Sequence, residues 1–177
     1  HVHNAMSGFH PRKPGLIGAA LRFRDIYGEI ICDGAHCVPS VLNSFFQAKG
    51  RDYAIMITDS LCVKHCPPGR GYQLGGHEIE VGEDGLAMLA GTDTIAGSTL
   101  RMNRGLRILV EKALVPFDAA LNACTLNPAR CLGVDGRKGR IAVGFDADLA
   151  VLEDDYEVVQ TYCRGKAMLK EKDTRCV

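Results

Sequence analysis

Hydrophobic positions along this chain fall into blocks of differing period. Tyr27–Cys32 (YGEIIC) and Tyr53–Thr58 (YAIMIT) are short, nearly continuous apolar runs, followed by the acids Asp33 and Asp59. Runs of this kind predict strands buried on both faces, the form that parallel sheets take. Between them Val41, Leu42, Phe45, Phe46 and Ala48 make a helical pattern, opened by Pro39-Ser40 and closed by Gly50. Strand, helix and strand in succession predict a βαβ unit.

The texture then changes. His77, Ile79 and Val81 alternate with polar residues, Glu83-Asp84-Gly85 reads as a turn, and Leu86, Met88 and Leu89 follow. A β-hairpin within Tyr72–Ala90 is expected. Gly69, Gly71, Gly75 and Gly76 match no phosphate loop and read as a flexible loop. Ser98 or Thr99 can cap a helix running to about Ala113. Pro116 starts another helix, and Asn127-Pro128-Ala129-Arg130 a short further turn. Strands are expected at Ala147–Leu152, Glu157–Tyr162 and Ala167–Leu169, with a turn at Arg164-Gly165. Residues 1–18 read as loop and Lys170–Val177 as a frayed end.

Composition narrows the class. The chain has 177 residues, 46% of them hydrophobic and 24% charged, with 21 basic against 21 acidic side chains. This excludes wholesale disorder and a nucleic-acid surface built on bulk charge. No apolar run is long enough to span a membrane. The chain opens on His1 and shows no secretory pattern, so no signal peptide is expected and the start reads as cut. Several of the eight cysteines lie in apolar runs, which favours free thiols in a reducing, cytoplasmic setting. Cys62, His65 and Cys66 could be half a zinc site, but no matching second pair follows.

Candidate chemistry gathers at His1-Val2-His3-Asn4, His10-Pro11-Arg12, Asp33-Gly34-Ala35-His36 and Thr58-Asp59-Ser60. Asp33 and Asp59 follow strands read as parallel, and the C-terminal ends of such strands face the ligand. Each acid alone is read equally well as a cap of the next element. His1 and His3, two apart, would point to opposite sides of a strand, and a terminal His is commonly solvated.

The motifs His1-Val2-His3-Asn4-Ala5-Met6, Arg12-Lys13-Pro14-Gly15, Asp33-Gly34-Ala35-His36 and Thr58-Asp59-Ser60 come in order. They are followed by Tyr72-Gln73-Leu74-Gly75-Gly76, Ile95-Ala96-Gly97-Ser98, Asn127-Pro128-Ala129-Arg130 and Arg137-Lys138-Gly139 with Ala147-Asp148-Leu149. Together they resemble the N-acetylglucosamine-6-phosphate deacetylases of the amidohydrolase superfamily, over nearly the whole chain. The resemblance implies an α/β fold, the C-terminal part of a (β/α)8 barrel plus part of a small β-sandwich. A barrel needs about 250 residues, so a C-terminal fragment is expected. Residues 1–135 would be barrel strands and helices with a hairpin insertion near 72–90, and 136–177 the sandwich part.

The same resemblance assigns roles. His1 matches a metal ligand, and the cofactor implied is a divalent cation, zinc first, with iron, cobalt or manganese as alternatives. Asn4 and Ala5 match positions that hold the amino-sugar phosphate. Arg12 and His36 match phosphate- or sugar-contacting residues, Asp59 the catalytic acid/base, and Ile95, Ala96 and Gly97 a loop against the substrate. A Glu and a His that complete the family's metal site have no counterpart here, and Cys37, His65 and Cys66 are unusual choices. A cytoplasmic homodimer is implied for the full-length protein, with no membrane or nucleic-acid partner. The chemistry is coherent: a carboxyl at a buried strand tip can take a proton from water and return it to the leaving amine. Arg12 offers charge-assisted donors to a phosphate. Two rivals remain, another amidohydrolase of dihydroorotase or adenine-deaminase type, and a sugar-phosphate-binding fragment without activity.

Overall fold

The computed structural model describes residues 1–168. Its centre is the expected βαβ unit. Strands β1 (Gly28–Ile31) and β2 (Ala54–Ile57) pair in parallel, Gly28 opposite Ala54 and Ile31 opposite Ile57. Ile30, Ile31, Ala54, Ile55 and Met56 are all buried, which is why neither strand alternates polar and apolar residues. A further amide bond, Cys32 N–H to the Ile57 carbonyl at 3.2 Å, extends the ladder to the strand tips.

Helix α2 (Pro39–Tyr53) has Pro at its N-terminal turn and a non-helical residue at Gly50, as its sequence punctuation predicts. Leu42, Phe45 and Phe46 face the sheet and are buried. The approach is close: a Cβ on Gly28 would lie 2.8 Å from the Phe45 ring, so only glycine fits there. Buried Lys49 gives its charge to carbonyls, Nζ donating to Phe23 O at 2.8 Å and Ile26 O at 2.5 Å. On the other side of β1, the Val2 amide donates to the Glu29 carbonyl at 2.8 Å. The chain start thus occupies the position of a third strand, and Val2 is buried in the same core.

The sequence reading needs three corrections here. The first segment is not loop to residue 18, because helix α1 (Gly15–Arg22) opens at Pro14 and buries Ile17. Pro is well tolerated at a helix start, and Leu, Ala and Ile follow it. The glycine-rich stretch is not a flexible loop. Strands β3 (Gly69–Leu74) and β4 (His77–Val81) form a hairpin with Leu74 opposite His77. Gly75 and Gly76 turn the corner with φ of 56° and 84°, the left-handed values that a two-residue turn of this hand requires. Finally, Ser98 does not cap a helix. It ends strand β6 (Ile95–Ser98), which pairs with β5 (Leu86–Leu89) to complete a four-stranded antiparallel sheet in the order β3-β4-β5-β6. The turn at Glu83-Asp84-Gly85 joins β4 to β5, where it was expected. Val63, Ile79, Val81 and Ala87 form this sheet's own small core.

Helix α3 (Met102–Arg107) continues into a wider π-helical turn over Ile108–Lys112, then α4 (Phe117–Cys124) and α5 (Leu126–Cys131) follow. Ala119, Ala120 and Ala123 put a small-residue face of α4 into the main core. Strands β7 (Leu149–Leu152), β8 (Val158–Cys163) and β9 (Lys166–Met168) make a three-stranded antiparallel sheet. No residue of these three strands is buried. The expected frayed end at Lys170–Val177, and Leu169 of the last expected strand, lie outside the described residues.

Candidate active site

The two acids at the strand tips converge through one histidine. Beyond β1, Asp33 folds back on its own loop: its Oδ1 accepts the Ala35 and His36 amides, each at 2.9 Å. Its Oδ2 lies 2.6 Å from His36 Nδ1. The other ring nitrogen, His36 Nε2, stands 3.6 Å from Asp59 Oδ2 beyond β2. The Asp33 and His36 side chains are almost fully enclosed, at 7% and 5% exposure, whereas that of Asp59 is 35% exposed. Burial by itself would raise the Asp33 pKa. The hydrogen bonds from the His36 ring and the two amides outweigh it, and the carboxyl lies below its ordinary value.

Asp59 is held by its backbone. Its φ of 51° is a left-handed value that non-glycine residues rarely adopt. Ser98, itself buried, ties this turn down on every side. The Ser98 amide donates to Asp59 O at 2.9 Å, and Leu61 N donates to Ser98 O at 2.9 Å. Ser98 Oγ donates to Thr58 O at 2.5 Å and accepts from Leu100 N at 3.1 Å. The neighbouring Gly97 runs so close that a Cβ would come 2.8 Å from Leu61 Cγ and 3.0 Å from Asp59 O. Gly97, at the end of the Ile95–Gly97 stretch, is therefore brought against the Asp59 turn.

The chain start lies over the Asp33–Cys37 loop. Asn4 Nδ2 donates to Cys37 Sγ at 3.6 Å, and Cys37 Sγ lies 3.9 Å from Val2 O. Burial pushes the Cys37 thiol up, against the pull of the Asn4 hydrogen bond. His3 and Ala5 have positive φ, 74° and 52°. Of the six non-glycine residues with positive φ among the described residues, three (His3, Ala5 and Asp59) thus belong to the segments singled out in the sequence. A non-glycine residue in this region carries strain of about 1–3 kcal/mol.

Arg12 and His1 stand apart. Arg12 is exposed on the loop before α1; its amide bonds His10 Nδ1 at 3.2 Å, and its guanidinium has no partner among the described residues. His1 is exposed, with its amino group donating to Glu29 O at 3.0 Å. Among the described residues no three His, Cys, Asp or Glu side chains gather in a group that could hold a metal ion, and Cys62, His65 and Cys66 form none. The donors present do not amount to a metal centre. A cleft of about 330 Å³ lined by Lys64, Thr99, Arg101, Asn103, Arg104 and Glu157 contains none of the candidate catalytic, substrate-binding or metal-binding residues.

Sequence reasoning missed two buried polar anchors. Ser98 appears only as a motif residue or helix cap. Asn127 is fully buried, its Nδ2 donating to Arg51 O and Ala54 O at 2.9 and 2.8 Å, which locks α5 to the start of β2. The only local signal was Gly97 beside Ser98, a glycine where another backbone approaches closely.

Known proteins resemble the chain over most of its length. N-acetylglucosamine-6-phosphate deacetylase of Bacillus subtilis is 40% identical over 173 residues, which are 98% of this chain and 43% of the relative. The human enzyme of that name is 36% identical, over 94% of this chain and 41% of its own. A putative N-acetylgalactosamine-6-phosphate deacetylase of Escherichia coli K12 is 33% identical, over 94% of this chain and 97% of the relative. Among solved structures, a mutant N-acetyl-D-glucosamine-6-phosphate deacetylase of Mycobacterium smegmatis, in complex with N-acetyl-D-glucosamine-6-phosphate, superimposes with a TM-score of 0.88 at 33% identity, covering 94% of this chain and 44% of that one. The deacetylase of Pasteurella multocida gives 0.88 at 30% identity, over 95% and 43%. The chain thus spans less than half the length of most of these relatives, in the mixed α/β fold that they share. The amidohydrolase family profile matches residues 1–168, so the chain belongs to the amidohydrolase family.

Proposed function

We propose that this chain is the C-terminal part of an amide hydrolase that releases acetate from N-acetylglucosamine 6-phosphate. One observation carries the reading: Asp59, strained and half-open at the tip of a buried parallel strand, faces His36 Nε2 at 3.6 Å and is pinned by the strand that carries Ile95–Gly97. A carboxylate so placed accepts a proton from the attacking water and delivers it to the leaving amine. His36 presents Nε2 to the sugar or its phosphate. Asn4 and Ala5, in the strained loop over Cys37, supply neutral contacts. The unpaired Arg12 guanidinium is free to take the phosphate, as a charge-assisted fork. The divalent cation that the resemblance implies, zinc first, would draw His1 from this chain and its other ligands from outside it.

The same reading extends to the architecture. Residues 1–135 supply the last strands and helices of a (β/α)8 barrel, with β1 and β2 as neighbours and His1–Val2 ending the strand before them. Residues 136–177, of which the structure describes 136–168, are read as part of a small β-sandwich whose other strands come from elsewhere in the enzyme. The complete enzyme is read as a cytoplasmic homodimer; among the described residues, no helix is long and apolar enough to cross a membrane.

Deacetylation of N-acetylgalactosamine 6-phosphate is a second reading, favoured by the match to the Escherichia coli relative over 97% of its length. The test is acetate release by the complete enzyme from both phosphorylated sugars and from unphosphorylated N-acetylglucosamine. Residues 1–177 alone are expected to give no turnover. The highest kcat/KM is expected on N-acetylglucosamine 6-phosphate; preference for the galacto sugar moves the assignment to the second reading, and no acetate from any of them removes both.

A further inference from the structure

Asp33 has no role in the chemistry described so far, yet both of its carboxylate oxygens are engaged beside the candidate site. Its Oδ1 is taken by two backbone amides, at 2.9 Å each, and its Oδ2 lies 2.6 Å from His36 Nδ1. An ionised carboxylate can only accept hydrogen bonds. The ring nitrogen facing it therefore carries a proton, and Nε2 is the nitrogen left to face Asp59 and an incoming ligand. With 7% and 5% exposure, neither Asp33 nor His36 has room to exchange this contact for water.

We infer that Asp33 is a positioning residue, which fixes His36 in its Nδ1–H form and aims Nε2 into the space beside Asp59. The role rests on the reading of His36 and Asp59 as substrate-facing groups. Which nitrogen of a histidine bears the proton is set by the partner of the other one, and the side facing the ligand inherits the consequence. With Nδ1–H committed to Asp33, a neutral His36 offers a lone pair to a sugar hydroxyl, and a protonated one offers N–H to a phosphate. The rival is that Asp33 only caps its loop, which Asn would do as well.

Asp33→Asn separates the two because the site fixes which way round the amide sits. The two backbone amides need an acceptor, so the Asn oxygen stays on them. The NH2 group then occupies the place of Oδ2 and can only donate. His36 must answer with an unprotonated Nδ1, which moves the proton to Nε2. Turning the amide over would recover Nδ1–H only by leaving two amides without their acceptor.

The measurement is 15N NMR of the complete protein labelled at histidine, with His36 assigned by its loss in His36→Gln. In the unsubstituted protein Nδ1 is expected to be protonated. In Asp33→Asn the pattern is expected to invert, with KM for N-acetylglucosamine 6-phosphate rising roughly five- to 150-fold, the effect of one unsatisfied polar contact, and kcat within a few-fold. If Asp33→Asn does not fold, Asp33→Ser keeps an acceptor for the amides and frees Nδ1, and both tautomers should appear. An unprotonated Nδ1 in the parent, an unchanged pattern in the folded variant, or inversion with unchanged KM overturns the inference. Absence of turnover in the unsubstituted protein overturns the assigned reaction instead, and the nitrogen pattern then decides the role of Asp33 alone.

Discussion

The βαβ unit and the β7–β9 sheet are built from similar residues to opposite ends. In the first, the strands are buried on both faces and α2 closes over them, with Phe45 and Leu42 fully enclosed. In the second, every strand residue retains exposure, Val151 at 43%, and only Leu152 and the neighbouring Tyr156 touch the main core. A sheet whose apolar residues are only partly covered is half of a layer that needs another. The difference teaches where precision is available. Asp33, His36 and Asp59 stand just beyond strands enclosed in the core, whereas the exposed sheet offers surface for packing and no enclosed polar group.

The contrast would break most visibly at Asp59. Asp59→Asn in the complete enzyme should lower kcat by about 10²–10⁴-fold, the usual worth of general acid–base help. Asp154→Asn, in the exposed turn between β7 and β8, should leave kcat unchanged. A fully folded Asp59→Asn enzyme with kcat within a few-fold of the parent would remove Asp59 from the mechanism and leave it a turn residue.

Packing comes next. Phe45→Ala should cost about 3–5 kcal/mol, because a ring enclosed by β1 and α2 leaves a cavity that the sheet cannot close. Val151→Ala, on an exposed strand, should change stability by no more than about 0.5 kcal/mol in residues 1–177. Denaturant unfolding of both variants measures the two. A larger loss at Val151 in the complete enzyme than in this chain would show that strands from outside cover the sheet.

How legible each region was in the sequence follows the same division. The βαβ unit announced itself because burial on both faces forces continuous apolar runs and α2 carries its own start and stop residues. Asp33, His36 and Asp59 were legible as polar residues placed where such strands end. The clamp of Ser98 on Asp59 was not, because its bonds join residues 39 and 40 positions apart and leave no local pattern. Gly75-Gly76 misled because glycines mark loops and tight hairpins alike, and only the pairing of Leu74 with His77 decides between them. The exposed guanidinium of Arg12 is visible in the structure, but its phosphate role comes from the resemblance alone.

Arg12 belongs to neither region, so its effect should be intermediate and selective. Arg12→Ala should cost about 1.5–3 kcal/mol in kcat/KM for the phosphorylated sugar, the worth of a charge-assisted hydrogen bond. It should leave the unphosphorylated sugar and the unfolding transition nearly unchanged. Equal losses on both sugars would place Arg12 outside the phosphate contact.

The smallest effect sets a sheltered carboxylate against exposed ones. Hydrogen bonds hold Asp33 below the ordinary Asp value of 3.8, against the opposing effect of burial. Near β7, hydrogen bonds from Lys138 hold Asp146 and Asp148 low as well, with a further bond from the Arg164 amide on Asp148. In each case the folded pKa lies below the unfolded one. The stabilisation is therefore present above the unfolded value and lost as pH falls through the folded one, in the range below about 4. Each carboxylate adds at most one proton to that slope. Salt distinguishes them, since ions screen exposed pairs and reach enclosed ones poorly. Unfolding free energy measured against pH in low and high salt should show the Asp146 and Asp148 contributions shrinking with salt. The Asp33 contribution, read as the difference between parent and Asp33→Asn, should persist. A parent-minus-variant difference that disappears in high salt would mean that the Asp33–His36 contact is open to solvent, and the βαβ loop no better sheltered than the sheet it is compared with.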